Sequence, residues 1–297
     1  MLSVTNETTL HSHPPYIPQK DAIAVPLSFA LSFNSSYLAF YCHTCIASKT
    51  SRAPPTPNDI VPMSPRSLIQ LPESNVIKIL SQLDMKHIII MQSTCRALEY
   101  YGRLVANNRY DDILTRYVSS PGIFRNLLDI NRAVIGGSCA LEFLLGNTNW
   151  KPNDLDIFVR APYLSPFLLF LHHEGFKRVQ PWEEETVPNR QIPCVEASIK
   201  FVKGKVSIDL ILTTLANSFD GIIHSWSTVM MNGITGANAF CAYPQYTFHH
   251  LASISIPKTI ALQHTSYGDD KQKYESRNFQ FTNALELNPQ LDYHTVP

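Results

Sequence analysis

The sequence predicts an α+β protein in which a short helical hairpin precedes a β-sheet flanked by helices, and three observations predict it. Apolar residues recur at helical intervals between positions 76 and 98. A short apolar strand runs into two glycines and then a helix-like stretch over 133–146. Two further apolar segments, 154–159 and 206–212, have strand character interrupted by aspartates.

The chain has 297 residues, room for one large or two modest domains, and its 44% hydrophobic content is enough to build a core. Its 24 Lys+Arg balance 24 Asp+Glu, so no bulk charge draws it to nucleic acid or an anionic membrane. Any anionic ligand must be held locally. Six cysteines, Cys42, Cys45, Cys95, Cys139, Cys194 and Cys241, lack the density of a disulfide framework and predict an intracellular protein, cytoplasmic or nuclear. Cys42 and Cys45 form a CxxC with no second ligand pair and read as free thiols. Residues 22–47 carry no Asp, Glu, Lys or Arg, yet Pro26, Asn34 and His43 interrupt them and no basic region precedes them, so a membrane partner is not expected.

Residues 1–66 are rich in Pro, Ser, Thr and Asn and read as a mostly disordered segment. A helical module follows over 67–106. Pro72 at a first-turn position, then Val76, Ile77, Leu80 and Leu83, predict one amphipathic helix; Asp84 as N-cap, then Ile88, Ile89, Met91, Cys95 and Leu98, predict a second. The stretch Leu71-Pro72-Glu73, Val76-Ile77, Ile79-Leu80, Leu83-Asp84-Met85-Lys86 and Ser93-Thr94-Cys95-Arg96-Ala97-Leu98 resembles an F-box. That resemblance implies docking on the adaptor Skp1 in a ubiquitin ligase. Residues 110–117 and 123–128 have helical spacing, with Pro121-Gly122 read as a turn between them.

The second domain spans 107–297, and its chemistry begins at Ala133-Val134-Ile135, a short strand followed by Gly136-Gly137-Ser138 and the helix-like run from Cys139 to Gly146. Strand, glycine turn and helix make an anion-binding layout, since glycine allows close backbone approach and the first helical amides are free. Ser138 is an N-cap by the simplest reading. In Asp154-Leu155-Asp156-Ile157-Phe158-Val159, strand alternation puts both carboxylates on one face. Such a pair persists in water or around a hard divalent cation. Asp209 interrupts the apolar run 206–212, where an unpartnered carboxylate is costly to bury and a shared metal would remove the cost.

This order resembles the nucleotidyltransferase superfamily, whose signature is a Gly-Gly-Ser turn, an Asp-x-Asp strand and a third carboxylate on a neighbouring strand. The resemblance implies a mixed β-sheet flanked by helices. It also implies that Asp154, Asp156 and Asp209 are catalytic and hold Mg²⁺ or Mn²⁺, that Asp209 helps activate an acceptor hydroxyl, and that Gly136, Gly137 and Ser138 bind the nucleoside triphosphate. The 88 residues after Asp209 are short for a large base-selecting domain. Within them, 227–233 read as a strand, and 271–279, whose Lys271, Lys273, Tyr274 and Arg277 have the chemistry to meet phosphate or a stacked base, reads more simply as a solvated helix face. His172-His173 and His249-His250 are sequence neighbours, whose side chains do not converge on one metal. Two functions follow: nucleotidyl transfer to an unknown acceptor, or a non-catalytic F-box adaptor using the same domain to bind a client or nucleotide.

Overall fold

The computed structural model describes residues 30–32, 68–179, 195–214, 217–254 and 266–282. Cys42, Cys45, Cys194 and, apart from strand β1 (Ala30–Ser32), the charge-free stretch 22–47 lie outside the described residues. The helical module comprises α1 (Glu73–Leu80), α2 (Met85–Gln92) and α3 (Arg96–Leu114). Asp84 caps α2 by accepting a hydrogen bond from the His87 amide at 2.8 Å. The sequence pattern predicts one helix from there through Leu98, but the chain breaks at 93–95. Ser93 and Thr94 donate their hydroxyls back to the Ile90 and Met91 carbonyls, each at 2.7 Å, and such local bonds compete with helix propagation. Helix α3 then absorbs the segment starting at 110, burying Leu98, Val105, Ala106, Tyr110, Ile113 and Leu114 at helical spacing. Pro121 opens α4 (Pro121–Ile130) rather than forming a turn, because the first helical position needs no N–H donor.

The rest alternates strands and helices: β2 (Val134–Ile135), α5 (Gly137–Leu145), β3 (Asp154–Arg160), α6 (Leu164–His173), β4 (Lys177–Arg178), β5 (Val195–Lys203) and β6 (Val206–Thr213). They are followed by α7 (Phe219–Ile223), β7 (Asn232–Ile234), β8 (Asn238–Cys241), α8 (Pro244–Thr247), β9 (Leu251–Ser253), α9 (Ser266–Glu275) and β10 (Gln280–Thr282). Eight strands form one mixed sheet in the order β1-β8-β7-β2-β3-β6-β5-β4, in which β3 and β6 run parallel at the centre. β9 and β10 form a separate parallel pair. The protein is therefore α+β with a mixed sheet. The expected strand at 227–233 is mostly a 3-10 turn, Thr228–Met230, since the Ser227 hydroxyl oxygen accepts from the Val229 amide and starts a turn there.

One apolar core runs through both halves of the chain, from Val76, Leu80, Met85 and Ile88 of the hairpin to Phe143, Leu155, Ile157 and Leu210 at the sheet. Arg109 fastens the same junction. Its guanidinium donates to the carbonyls of Leu83 at 2.6 Å, Ser81 at 3.2 Å and Phe143 at 3.1 Å, capping two helix ends with one side chain. A second core, Leu141, Val229, Ala252, Tyr274 and Phe279, lies along another side of α5 and seats α9. Helix α5 is thus enclosed, with every residue from Gly137 to Leu144 buried. Among the described residues no helix is long and apolar enough to cross a membrane.

Candidate functional site

Pairing of β3 with β6 aligns Asp154 with Ser207 and Asp156 with Asp209. Residues paired in this way share a face, so the three carboxylates lie on one side of the sheet while Leu155, Ile157, Ile208 and Leu210 fill the core on the other. Lys200 of β5 is in register with Asp209 and stands on the same face, its Nζ 3.5 Å from Asp209 Oδ2. Further along that face Phe158 packs with Val134, Ile222 and Phe240, closing one end of the surface.

The two glycines are dictated by this strand. The Gly136 amide donates to the Asp156 carbonyl at 2.9 Å, which brings the turn directly onto β3. A Cβ at Gly136 would stand 2.6 Å from Phe158 Cε2. Gly137 has φ of 61°, a left-handed conformation, and any side chain there would overlap Asp156 Oδ2. The Asp156 carboxylate therefore lies against the start of α5, where the first-turn amides lack helical partners and the dipole favours negative charge. Gly136, not Ser138, is the N-cap. Ser138 is buried inside the first turn, where its hydroxyl accepts from Arg277 Nη1 at 2.8 Å and lies 3.2 Å from the Tyr274 hydroxyl.

Charge at the site is unbalanced. Burial, and then repulsion from Asp154 and Asp209, push Asp156 up to about 7 despite Lys273 and Lys200. Asp209 is raised by burial, with Lys200 opposing the shift. Asp154 Oδ2 has Lys273 Nζ at 4.0 Å. Three carboxylates thus face two ammonium groups. Each acid is turned to its own neighbour, Asp156 to Gly137, Asp209 to Lys200 and Asp154 to Lys273, and no group of three His, Cys, Asp or Glu among the described residues is arranged to hold a metal ion. The donor type nonetheless suits a hard divalent cation: carboxylate oxygens on one face, in excess over their lysine partners, beside a turn that only glycine fits.

Residues 266–282 supply what the sequence pattern does not reveal. Segment 271–279 is a solvated face only in part: Gln272, Glu275, Ser276 and Asn278 are exposed, whereas Tyr274 and Phe279 are each 2% exposed. Arg277 lies over the Trp150 ring at 4.1 Å and the Tyr274 ring at 5.1 Å while donating to Ser138. Glu142 of α5, also buried, accepts from Arg116 and from Lys151, the latter at 2.6 Å, locking the turn that follows α3 and the 147–153 loop to the glycine-turn helix. Cys139 is a core thiol beside the Asp154 carbonyl, and burial pushes it well above the usual thiol range. Against known protein families, curated proteins and solved structures, the chain gives no significant match.

Proposed function

We propose that the face carrying Asp154, Asp156 and Asp209 transfers a nucleotidyl group from a nucleoside triphosphate to an acceptor hydroxyl. The observation that carries this reading is the register of Asp156 with Asp209 on adjoining parallel strands, with Asp154 on the same face and Gly137 against Asp156. A cation such as Mg²⁺ or Mn²⁺, held by the three aspartates, would supply charge stabilisation for the attacking and leaving oxygens. The glycine turn offers amide donors to the triphosphate. Asp209 accepts the proton of the acceptor hydroxyl as that oxygen bonds to the α-phosphorus and pyrophosphate departs. Lys200 beside Asp209 and Lys273 beside Asp154 offset part of the repulsion among the carboxylates until a cation arrives.

Incubation with Mg²⁺ or Mn²⁺ and α-labelled nucleoside triphosphates is expected to release pyrophosphate and label an acceptor. Activity unchanged in Asp154→Asn with Asp156→Asn would contradict the reading.

A second module function is favoured by the hairpin's surface. Ile79 and Ile90 are 41% and 50% exposed although their helices already bury a core, which supports an F-box that docks Skp1 through exposed apolar side chains. In that reading the aspartate domain presents a client. Co-purification with Skp1 that is lost in Ile79→Asp with Ile90→Asp supports it, and absence of any complex removes it. Both activities suit the reducing cell interior, consistent with Cys95, Cys139 and Cys241 being free thiols.

A further inference from the structure

The Ser138 hydroxyl is not open to a ligand. Ser138 is 2% exposed, accepts from Arg277 at 2.8 Å and pairs with the Tyr274 hydroxyl at 3.2 Å, and both partners come from the C-terminal segment some 136 to 139 residues away in sequence. Arg277 is in turn held against Trp150 and Tyr274, and Tyr274 sits in the core formed by Leu141, Val229 and Phe279. What this clasp places at the carboxylates is Lys273, the residue before Tyr274, with Nζ 4.0 Å from Asp154 Oδ2 and a side chain 39% exposed. An ammonium that is both accessible and next to the aspartates is free to exchange a carboxylate for a phosphate, whereas the buried serine is not.

We infer that Ser138 is a positioning residue that pins α9 through Arg277 and Tyr274, and that Lys273, carried there by α9, is the side chain that meets the polyphosphate of a ligand. This rests on the nucleotide-site reading above, and it reassigns the serine of the Gly-Gly-Ser turn from ligand contact to anchor. Helix α9 becomes part of the site rather than a terminal appendage.

The test combines hydrogen exchange over 266–282 with calorimetric binding of inorganic tripolyphosphate in the presence of Mg²⁺, using the full chain. Ser138→Ala is expected to speed exchange in 266–282 by about tenfold or more, since a buried charge-assisted bond is lost. Arg277→Gln releases the same clasp from a less buried position and serves where Ser138→Ala does not fold. Lys273→Gln is expected to weaken tripolyphosphate binding by roughly tenfold while leaving exchange unchanged. Weaker binding in Ser138→Ala with unaltered exchange, unchanged binding in Lys273→Gln, or no tripolyphosphate binding by the wild type would each overturn the inference. Wild-type binding of tripolyphosphate that is sensitive to Lys273→Gln, without pyrophosphate release from any nucleoside triphosphate, would reject nucleotidyl transfer and leave the anchor role standing.

Discussion

Asp156 is the residue on which the electrostatics turn. Its carboxyl is pushed up to about 7, chiefly by burial and then by Asp154 and Asp209. An acid whose pKa rises on folding takes up protons on folding, so its contribution to stability declines from about pH 4, the unfolded aspartate value, through about 7 and is constant above. Without divalent cations, Asp156→Asn should therefore melt higher than wild type at pH 8, by roughly 4–8 °C, with the gap closing toward pH 4. Thermal melts at three pH values check this, and a constant gap would show that ionisation of the buried Asp156 carboxyl is not the cause. Gly137 is constrained from two directions, by its positive φ and by Asp156 Oδ2. Gly137→Ala should cost about 2–3 kcal/mol in urea unfolding, and less in an Asp156→Ala background, where the overlapping oxygen is gone. The aspartates are legible in sequence because strand alternation is strict, so a charge at every second position of an apolar run declares its face. The lysines opposite them are not, because Lys200 reaches Asp209 through strand register and Lys273 reaches Asp154 through tertiary docking.

At the scale of elements, local patterns foretell which segments are regular better than where each stops. Asp84 as a cap and Val76 with Leu80 as a buried stripe follow from spacing alone. The break at 93–95 turns on hydroxyls that can either stay solvated or bond back, a choice that composition leaves open. The segment 266–282 differs from its sequence reading for the opposite reason: its polar, charged pattern conceals Tyr274 of α9 and Phe279 just after it, which meet a core built by distant segments. The junction of hairpin and α5 depends on Arg109, whose burial lowers its pKa to about 10 despite Asp84 and Glu142. Arg109→Ala removes three hydrogen bonds, to the carbonyls of Ser81, Leu83 and Phe143. It should cost about 2–4 kcal/mol and raise hydrogen exchange in 73–92 above that in β3 and β6. Uniform exchange across both regions would show that Arg109 does not govern the junction.

Across the whole molecule, the continuous core from Val76 and Leu80 to Ile157 and Leu210 joins the helical hairpin to the sheet. Leu80→Ala, at a fully buried position, should lower the urea midpoint of the sheet as well as of the hairpin, with an overall loss of about 2–5 kcal/mol in a single transition. Separate transitions for the two halves would mean that the hairpin is an independent module. The α+β class and the shared face of Asp154 and Asp156 can be reasoned from periodicity, since both depend on residues close in sequence, whereas Asp209 joins them through the pairing of β3 with β6. The sheet order and the clasp on Ser138 depend on pairings between residues far apart in sequence, 53 for Asp156 with Asp209 and 136 for Ser138 with Tyr274, and emerge only from the folded chain.

Cation binding by the aspartate face is most directly read by Mn²⁺ titration followed by electron paramagnetic resonance, with a non-hydrolysable nucleoside triphosphate present. Wild-type protein should bind Mn²⁺, and Asp156→Asn with Asp209→Asn should weaken that binding by at least about 100-fold. Equal Mn²⁺ binding by the two proteins, or none by the wild type, would contradict a metal-dependent nucleotidyl-transfer site on this face.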